Sequence, residues 1–454
     1  MSAVLDYHRA TNVAAYGTDE DEARMVETRP SLFKDYGDAE RLPLEGSLAG
    51  PLLQDAAGIV RSQSRRDYGG GTIHWRAYSS AGALYPIETY VAAADGLFAF
   101  DVMTPALVPL RRDDARQALA EAAAEPELGD AGAVVVVTGL HGRTGWKYLE
   151  RGYRHLWWDA GTLLANLLAL AAAVGLEPRL YAGFVDREVN ELLGANGTDE
   201  YALALVALGE VAGTLPERGP SHSPDRPTHA FWDSPLPGTA VPPYPLAEAA
   251  HEASSFTDAD EVRAWRTPAA ATEPKLDRDA LVDAIRRRRS VRRYAQTPLP
   301  ADELRKLLSW SEAPIQAAAP SVVRQVVTVA AVDGLEPGIY DAELELLAAR
   351  DEQELRSAVG FAAMEQEHPR DAAVNVFQVG DIDEIVARLG PRGYRWAQLE
   401  AGIRAGRLQV GAFIRGWGAA ASTFFDDEVS KLLDTSDSPL LMVAIGVRMQ
   451  RMAA

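Results

Sequence analysis

The chain has 454 residues, 47% hydrophobic and 24% charged, with a formal net charge of −20 and no cysteine. That length supports two or three domains with well-buried cores. The acid excess argues against nucleic acid or an anionic membrane as the main partner, and the lack of cysteine excludes disulfides, a thiolate nucleophile and cysteine-held metals.

The opening MSAVLDYHRATN lacks the basic-then-apolar order of a signal peptide. LLANLLALAAAVGL has the length of a buried helix rather than of a membrane span. The expectation is a cytoplasmic protein.

A mixed-charge arm (Asp19 to Glu27) leads through SLFKDYGDAERLPLEG to the turn-rich DYGGGTIHWRAYSSAGALYP, which runs into a strand, IETYVAAA. AGAVVVVTGL reads as a second strand, a β-branched run bounded by glycines. A long helix follows, and YALALVALGEV closes the first unit as a strand. Residues 213–272, rich in Pro, Ser and acid, show no sustained period and read as a linker or wrapping arm. A second unit starts near Leu276 with the helix DRDALVDAIRRRR, for which Asp277 is the N-cap candidate. Pro300 suits the first turn of the next helix. VVRQVVTVAAV, a GIYDAELELLAA hairpin, DAAVNVFQVG, another long helix and LLMVAIGV complete it. Strands mixed with helices, without a strict βαβ rhythm, predict an α+β fold.

The two long helices are copies. RGYRHLWWDAGTLLANLL at 151 recurs as RGYRWAQLEAGIRAGRLQ at 392, a gapless shift of 241 residues. A shift of that size is a whole domain used twice. Two copies of one fold in a chain pack as an internal homodimer, so the predicted organisation is domains at 1–212 and 273–454 forming a pseudo-dimer.

RRRRSVRRY at 286–294 is the densest cation cluster in this acidic chain. Guanidinium forks bind phosphate oxygens bidentately and a neighbouring hydroxyl completes the shell; a solvated helix end is the competing reading. Ser79, Ser80 and Gly82 lie in a loop between Arg76 and Tyr85-Pro86. Taken alone, such serines are turn residues and such a glycine supplies a positive φ. Lys147-Tyr148 occurs in one copy only, since Arg388 and Leu389 stand at the equivalent positions. His141 and His155 have no second histidine at metal spacing and read as structural or surface residues, and Trp157 and Trp158 as packing residues.

These segments resemble the nitroreductase superfamily of flavin enzymes, which open with an R-R-S-x-R-x-(F/Y) motif holding the FMN phosphate and ribityl chain. Carried over, the motif gives Arg288, Arg289, Ser290 and Arg292, with Arg448 in the terminal IGVRMQR as a further phosphate contact. FFDDEVSKLL resembles the family's segment beside the flavin ring. The first copy resembles one branch, the SagB-type azoline dehydrogenases, through DYHRATN, RAYSSAGALYPIETYV (Ser79 replacing a usual proline) and WKYLERGYR. That resemblance implies cofactor contacts from Arg76, Ser79, Ser80 and Gly82, and catalysis by Lys147 and Tyr148.

The copies are degenerate in complementary ways. The first lacks the arginine motif and the second lacks the Ser-Ala-Gly-Ala-Leu-Tyr-Pro loop, APIQAAAPSVVRQ standing in its place. Together they rebuild one site, which implies one FMN per chain. The implied reaction is oxidation of a thiazoline or oxazoline to the azole in a ribosomally made peptide, with proton transfer by Tyr148 or Lys147. A heterocyclase complex as partner and further dimerisation stay open. So do an NAD(P)H-driven nitro- or quinone-reductase and a flavin-free binding subunit.

Overall fold

The computed structural model describes residues 2–12, 30–64, 72–210, 243–267 and 272–449. The mixed-charge arm, the glycine run before Thr72 and residues 211–242, which include the first part of the connector, lie outside the described residues.

Each copy is built on one antiparallel sheet. The first holds β3 (Ile87–Ala93), β4 (Gly96–Asp101), β5 (Ala106–Arg111), β6 (Ala131–Leu140), β7 (Arg179–Tyr181) and β8 (Glu200–Glu210), in the order β5-β4-β3-β6-β8-β7. The second repeats that order with β10 (Arg324–Val329), β11 (Gly338–Asp341), β12 (Leu346–Ala349), β13 (Val374–Gly380), β14 (Gly418–Ser422) and β15 (Ser438–Arg448): β12-β11-β10-β13-β15-β14. Each copy also has its own addition. The first inserts a separate hairpin, β1 (Ile59–Ser64) with β2 (Thr72–Arg76); the second carries β9 (Tyr294–Ala295) against the end of β15.

The strands form where β-branched runs can be buried on both faces. Val134 to Val137 are wholly buried in β6, between β3 and β8. The helix Arg278–Arg287 starts as expected, with the Asp277 carboxylate accepting the Ala280 N–H, and Pro300 stands at the N-cap of Ala301–Glu312.

The repeated segments are the central helices, Gly152–Ala173 and Arg392–Ile414, buried along nearly their whole length. They cross at their equivalent glycines. A methyl on Gly161 would lie 2.5 Å from the Gly402 backbone, and one on Gly406 2.6 Å from Ala165 Cβ. Only glycine permits this approach. One hydrophobic core therefore runs through both copies. The apolar helical stretch His141–Ala173 is long enough to cross a bilayer by composition, contrary to the sequence reading, yet its apolar window is 94% buried inside the protein.

The Arg-Gly-Tyr-Arg motifs lock the halves together. Arg151 and Arg154 of the first copy donate to Asp426 of the second at 2.8 and 3.0 Å, while Arg392 and Arg395 of the second donate to Asp186 of the first at 3.0 and 2.6 Å. Both aspartates are the first residues of equivalent helices, Asp186–Leu193 and Asp426–Leu433. The backbone carbonyl of His8 accepts from Arg154, and that of His251 accepts from Arg395. His8 and His251 belong to helices Ala3–Ala10 and Pro245–Ala253, the latter inside the segment expected to be a linker or wrapping arm. That segment carries a second helix, Ala259–Trp265, capped by Asp258. Its short apolar positions (Ala247, Ala250, Val262, Trp265) are buried, a pattern too brief to read as a period.

Candidate functional site

The loop Ser79–Tyr85 is held in an unusual shape. Gly82, Ala83 and Tyr85 all have positive φ (61°, 55° and 46°). Such backbone persists only where its surroundings fix it. Asp159 on the central helix accepts from Ser80 Oγ at 2.5 Å and from the Ala81 N–H at 3.0 Å, and Ser80 Oγ accepts the Tyr85 N–H at 2.9 Å. Arg143 donates to the Tyr85 carbonyl at 2.9 Å. From the other copy, Arg288 donates to the carbonyls of Ala77 and Tyr78 at 3.2 and 2.9 Å.

Lys147 and Tyr148 end the helix His141–Tyr148, whose counterpart is Ile382–Leu389. The next residue, Leu149, has φ 50° and ψ −136°, a conformation its counterpart position fills with Gly390. The Tyr148 ring stacks on His155 at 4.0 Å. A methyl on Gly82 would come within 3.1 Å of the Tyr148 hydroxyl and 3.3 Å of Lys147 Cδ, so loop and pair pack directly. Burial, then the Arg292 charge, lowers the Lys147 pKa. Burial, reinforced by Asp159, raises that of Tyr148, and burial holds His155 well below its usual value. These shifts separate the two proton-transfer candidates. Tyr148 keeps its proton near neutrality, and Lys147 is the better acceptor.

Ser79, Ser80, Gly82 and Tyr148 face Ser290, Arg292, Gln366 and Ser422 of the second copy across a cavity of about 140 Å³, which Asp159, His155, Trp158 and Thr162 also line. His155 Nε2 is buried with no hydrogen-bond partner. Arg292 donates to His368 Nε2 at 2.8 Å, and His368 Nε2 is also bonded to Ser422 Oγ at 2.6 Å. Through Ser290 and Arg292 this cavity adjoins a larger cleft of about 1210 Å³ lined by Arg61, Arg289, Arg293 and Arg448, with no carboxylate among its lining residues. Burial, then the charges of Arg289 and Arg287, lowers the Arg448 pKa, a sign of crowded cations. Arg61 reaches the cleft from the first-copy hairpin, seated 3.8 Å over the Trp75 ring.

Ser79, Ser80, Gly82, Tyr148, Ser290 and Arg292 thus converge on one cavity, Lys147 packs beside it, and Arg289 and Arg448 line the basic cleft. Two expected contacts do not join them. Arg76 is fully buried and donates to the carbonyls of Ala57 and Ile87 at 2.7 and 2.8 Å; Arg288 clamps the loop backbone as described. Both fix the loop and lie outside the lining of cavity and cleft. His141 and His155 are both buried, not surface residues, and Trp158 lines the cavity besides packing. Asp159, His155, Gln366 and His368 were not foreseen; the matched Asp159 and Glu400 of the repeat were the available signal.

The mirror position keeps a cleft of about 590 Å³, lined by Glu125, Glu127, Arg179, Tyr181, Arg266 and Gln316. At the same shift, Gln366, Ala421 and Ser422 correspond to Glu125, Leu180 and Tyr181. There the Leu180 N–H donates to the Gln316 carbonyl at 2.9 Å and the Ala318 N–H to the Leu180 carbonyl at 3.2 Å, so second-copy main chain closes on β7. Arg266 and Arg179 pair with Glu125 and Glu127. The cleft that remains has its charges already matched.

A flavin mononucleotide fits the composite site. The uncompensated arginines supply an anion end, and the loop and the unpartnered His155 nitrogen supply polar groups where a ring would lie. Two like α+β halves sharing one core, with a cation-rich site at their seam, define an oxidoreductase fold of the dimeric kind fused into one chain. The chain belongs to the nitroreductase family, which matches residues 51–210 and 285–447. It is 25% identical over 190 residues to MJ1384 of Methanocaldococcus jannaschii, named as a nitroreductase, covering 39% of this chain and 96% of that one. It is 26% identical over 149 residues to the microcin B17-processing protein McbC of Escherichia coli, covering 30% of this chain and 54% of McbC. A solved structure described as a nitroreductase from Anabaena variabilis aligns over 99% of this chain and 100% of its own with a TM-score of 0.80 and 24% identity, so the fold is shared over the full length.

Proposed function

We propose that this oxidoreductase is an FMN-dependent dehydrogenase that oxidises thiazolines or oxazolines to azoles in a ribosomally made peptide cyclised by a separate heterocyclase. The observation that carries the reading is the Lys147-Tyr148 pair, present in one copy only and set against the composite cavity. The likeness to McbC supports the substrate class.

FMN, when bound, supplies the two-electron oxidant. Arg289, Arg292, Arg448 and Ser290 would hold its phosphate, and the Ser79–Gly82 loop would contact its ring system. Lys147, with its pKa lowered by burial and by Arg292, takes the proton leaving the azoline carbon. Tyr148, protonated and stacked on His155, orients the azoline ring by hydrogen bonding. The mirror cleft, whose arginines Arg179 and Arg266 are already paired with Glu127 and Glu125, supports one FMN per chain.

Lys147→Ala should retain flavin yet oxidise an azoline peptide ~10²–10⁴-fold more slowly, the usual contribution of an acid–base group, and Tyr148→Phe should retain flavin and lose about tenfold, the worth of one orienting hydrogen bond. Near-wild-type rates in both would remove the pair from the chemistry. The likeness to MJ1384 favours a second reading, a nitro- or quinone-reductase, which rapid bleaching of the flavin by NADPH would bring forward. A flavin-to-protein ratio near two would refute the single site, and colourless protein would favour a binding subunit.

A further inference from the structure

The two copies treat the same loop-holding carboxyl differently. Asp159 and Ser80 correspond at the repeat shift to Glu400 and Ser321. In the second copy the pair is saturated. Ser321 Oγ donates to Glu400 at 2.7 Å, and Arg404 donates to Ser321 Oγ at 2.8 Å and to Glu400 at 3.0 Å. In the first copy the residue at the Arg404 position is Leu163, wholly buried, and among the described residues no cation pairs with Asp159.

Ser80 is therefore left with one unused hydrogen-bonding position. A hydroxyl has one hydrogen and two lone pairs. One lone pair takes the Tyr85 N–H, and the 2.5 Å contact to Asp159 uses a second position. If Asp159 is ionised, Ser80 gives it the hydrogen and keeps a lone pair. If Asp159 is protonated, the carboxyl hydrogen goes to Ser80, whose own hydrogen is then free. Ser80 and Asp159 both line the composite cavity.

We propose that Asp159 and Ser80 form a proton-dependent hydrogen-bond switch: with a proton on Asp159, Ser80 offers a donor to a ring carbonyl or imine nitrogen in the cavity, and without it an acceptor. Asp159 is a positioning residue in this scheme, acting through Ser80. Burial pushes its pKa up to about 8, the bonds from Ser80 and Ala81 offsetting part of the rise, so the switch lies near neutrality. The titratable and charged groups around it are Tyr78 and Tyr85 of the loop, Tyr148 and Lys147 of the pair helix, His155 on its own helix, and Arg292 of the second copy. The tyrosines are held protonated and His155 neutral, so Lys147 is the titration that a test must separate.

The ligand side rests on the flavin reading; the switch itself rests on the geometry. FMN affinity, read by fluorescence quenching on flavin-stripped protein, should fall about tenfold in the wild type from about pH 6.5 to about pH 9.5, the worth of one neutral hydrogen bond. In Asp159→Asn the amide accepts the Ala81 N–H and donates permanently to Ser80. Its affinity should stay flat at the wild-type low-pH level, while Ser80→Ala is weaker and flat. A flat wild type, or an Asp159→Asn variant that keeps the wild-type slope through Lys147, overturns the switch. If FMN fails to bind the wild type near neutral pH, the flavin reading fails, and the switch is read on the protein alone. An acid whose pKa is raised by folding loses stability as pH rises from its unfolded value to its folded one. The melting temperature of the wild type should therefore fall relative to Asp159→Asn between about pH 4 and about pH 8. A pH-independent difference overturns the proposal there too.

Discussion

Asp186 is the carboxylate on which one of the two interdomain locks depends. It is buried, it accepts from Arg392 and Arg395 of the other copy at 3.0 and 2.6 Å, and its second oxygen accepts the Phe256 N–H at 2.9 Å. Burial alone would raise its pKa; the two guanidiniums overcome that and hold it at about 2, against an ordinary 3.8. A shift of this size corresponds to roughly 2.5 kcal/mol of folding stability. The sign follows from the depressed value: the contribution is complete above the unfolded pKa and is lost as pH falls through the folded one. Asp186→Asn should thus lose about 2–3 kcal/mol at neutral pH, and Asp186→Ala about 3–5 kcal/mol, because it leaves two buried arginines facing one another. Urea unfolding followed by circular dichroism would measure both, at neutral pH and at steps down to about pH 2. The gap between wild type and Asp186→Asn should close over the acid limb. An Asn variant within about 0.5 kcal/mol of wild type at neutral pH, or a gap that ignores acid, would refute the view that charge pairing holds the halves together.

Arg289→Ala with Arg448→Ala should weaken FMN binding ~10²–10⁴-fold, at ~1.5–3 kcal/mol for each of two charge-assisted bonds, and leave riboflavin, which has no phosphate, nearly unaffected in the same quenching titration. Arg76→Ala should instead lower the melting temperature by unmooring the loop, since its guanidinium serves the Ala57 and Ile87 carbonyls. A leucine at Gly161 would drive a side chain into the Gly402 backbone, so Gly161→Leu should cost several kcal/mol of unfolding free energy, on the scale of ~1–3 kcal/mol or more for overpacking; wild-type stability would contradict the observed helix crossing.

Much of the fold was legible because it was written twice. The 241-residue repeat marked the central helices and the matched glycines, and β-branched runs marked β6, β10 and β13. The Lys147-Tyr148 asymmetry stood out for the same reason: a second copy lacked it. Partners distant in sequence could not be read. Nothing in RRRRSVRRY tells which guanidinium turns to the carbonyls of Ala77 and Tyr78 and which stays in the basic cleft. Likewise the bond from Ser80 to Asp159 joins residues 79 positions apart, so Asp159 looked like one more polar residue on a helix. The two helices of the connector were not legible because helices of nine and seven residues bury too few side chains to establish a period.

The crossed arginine locks also set the order in which the molecule can be completed. Arg154 waits for Asp426, 272 residues further along the chain. A ribosome adding ~5–20 residues per second needs on the order of half a minute to deliver it. Until then the first central helix has neither its counter-ion nor the apolar face that will cover it. The tether brings a matching advantage. An ordinary dimer must find its second subunit at whatever concentration the cell provides, whereas here the partner arrives on the same chain at an effective concentration set by the connector. Assembly is thereby made independent of expression level, and the cavity at the seam forms once per polypeptide however dilute the protein becomes.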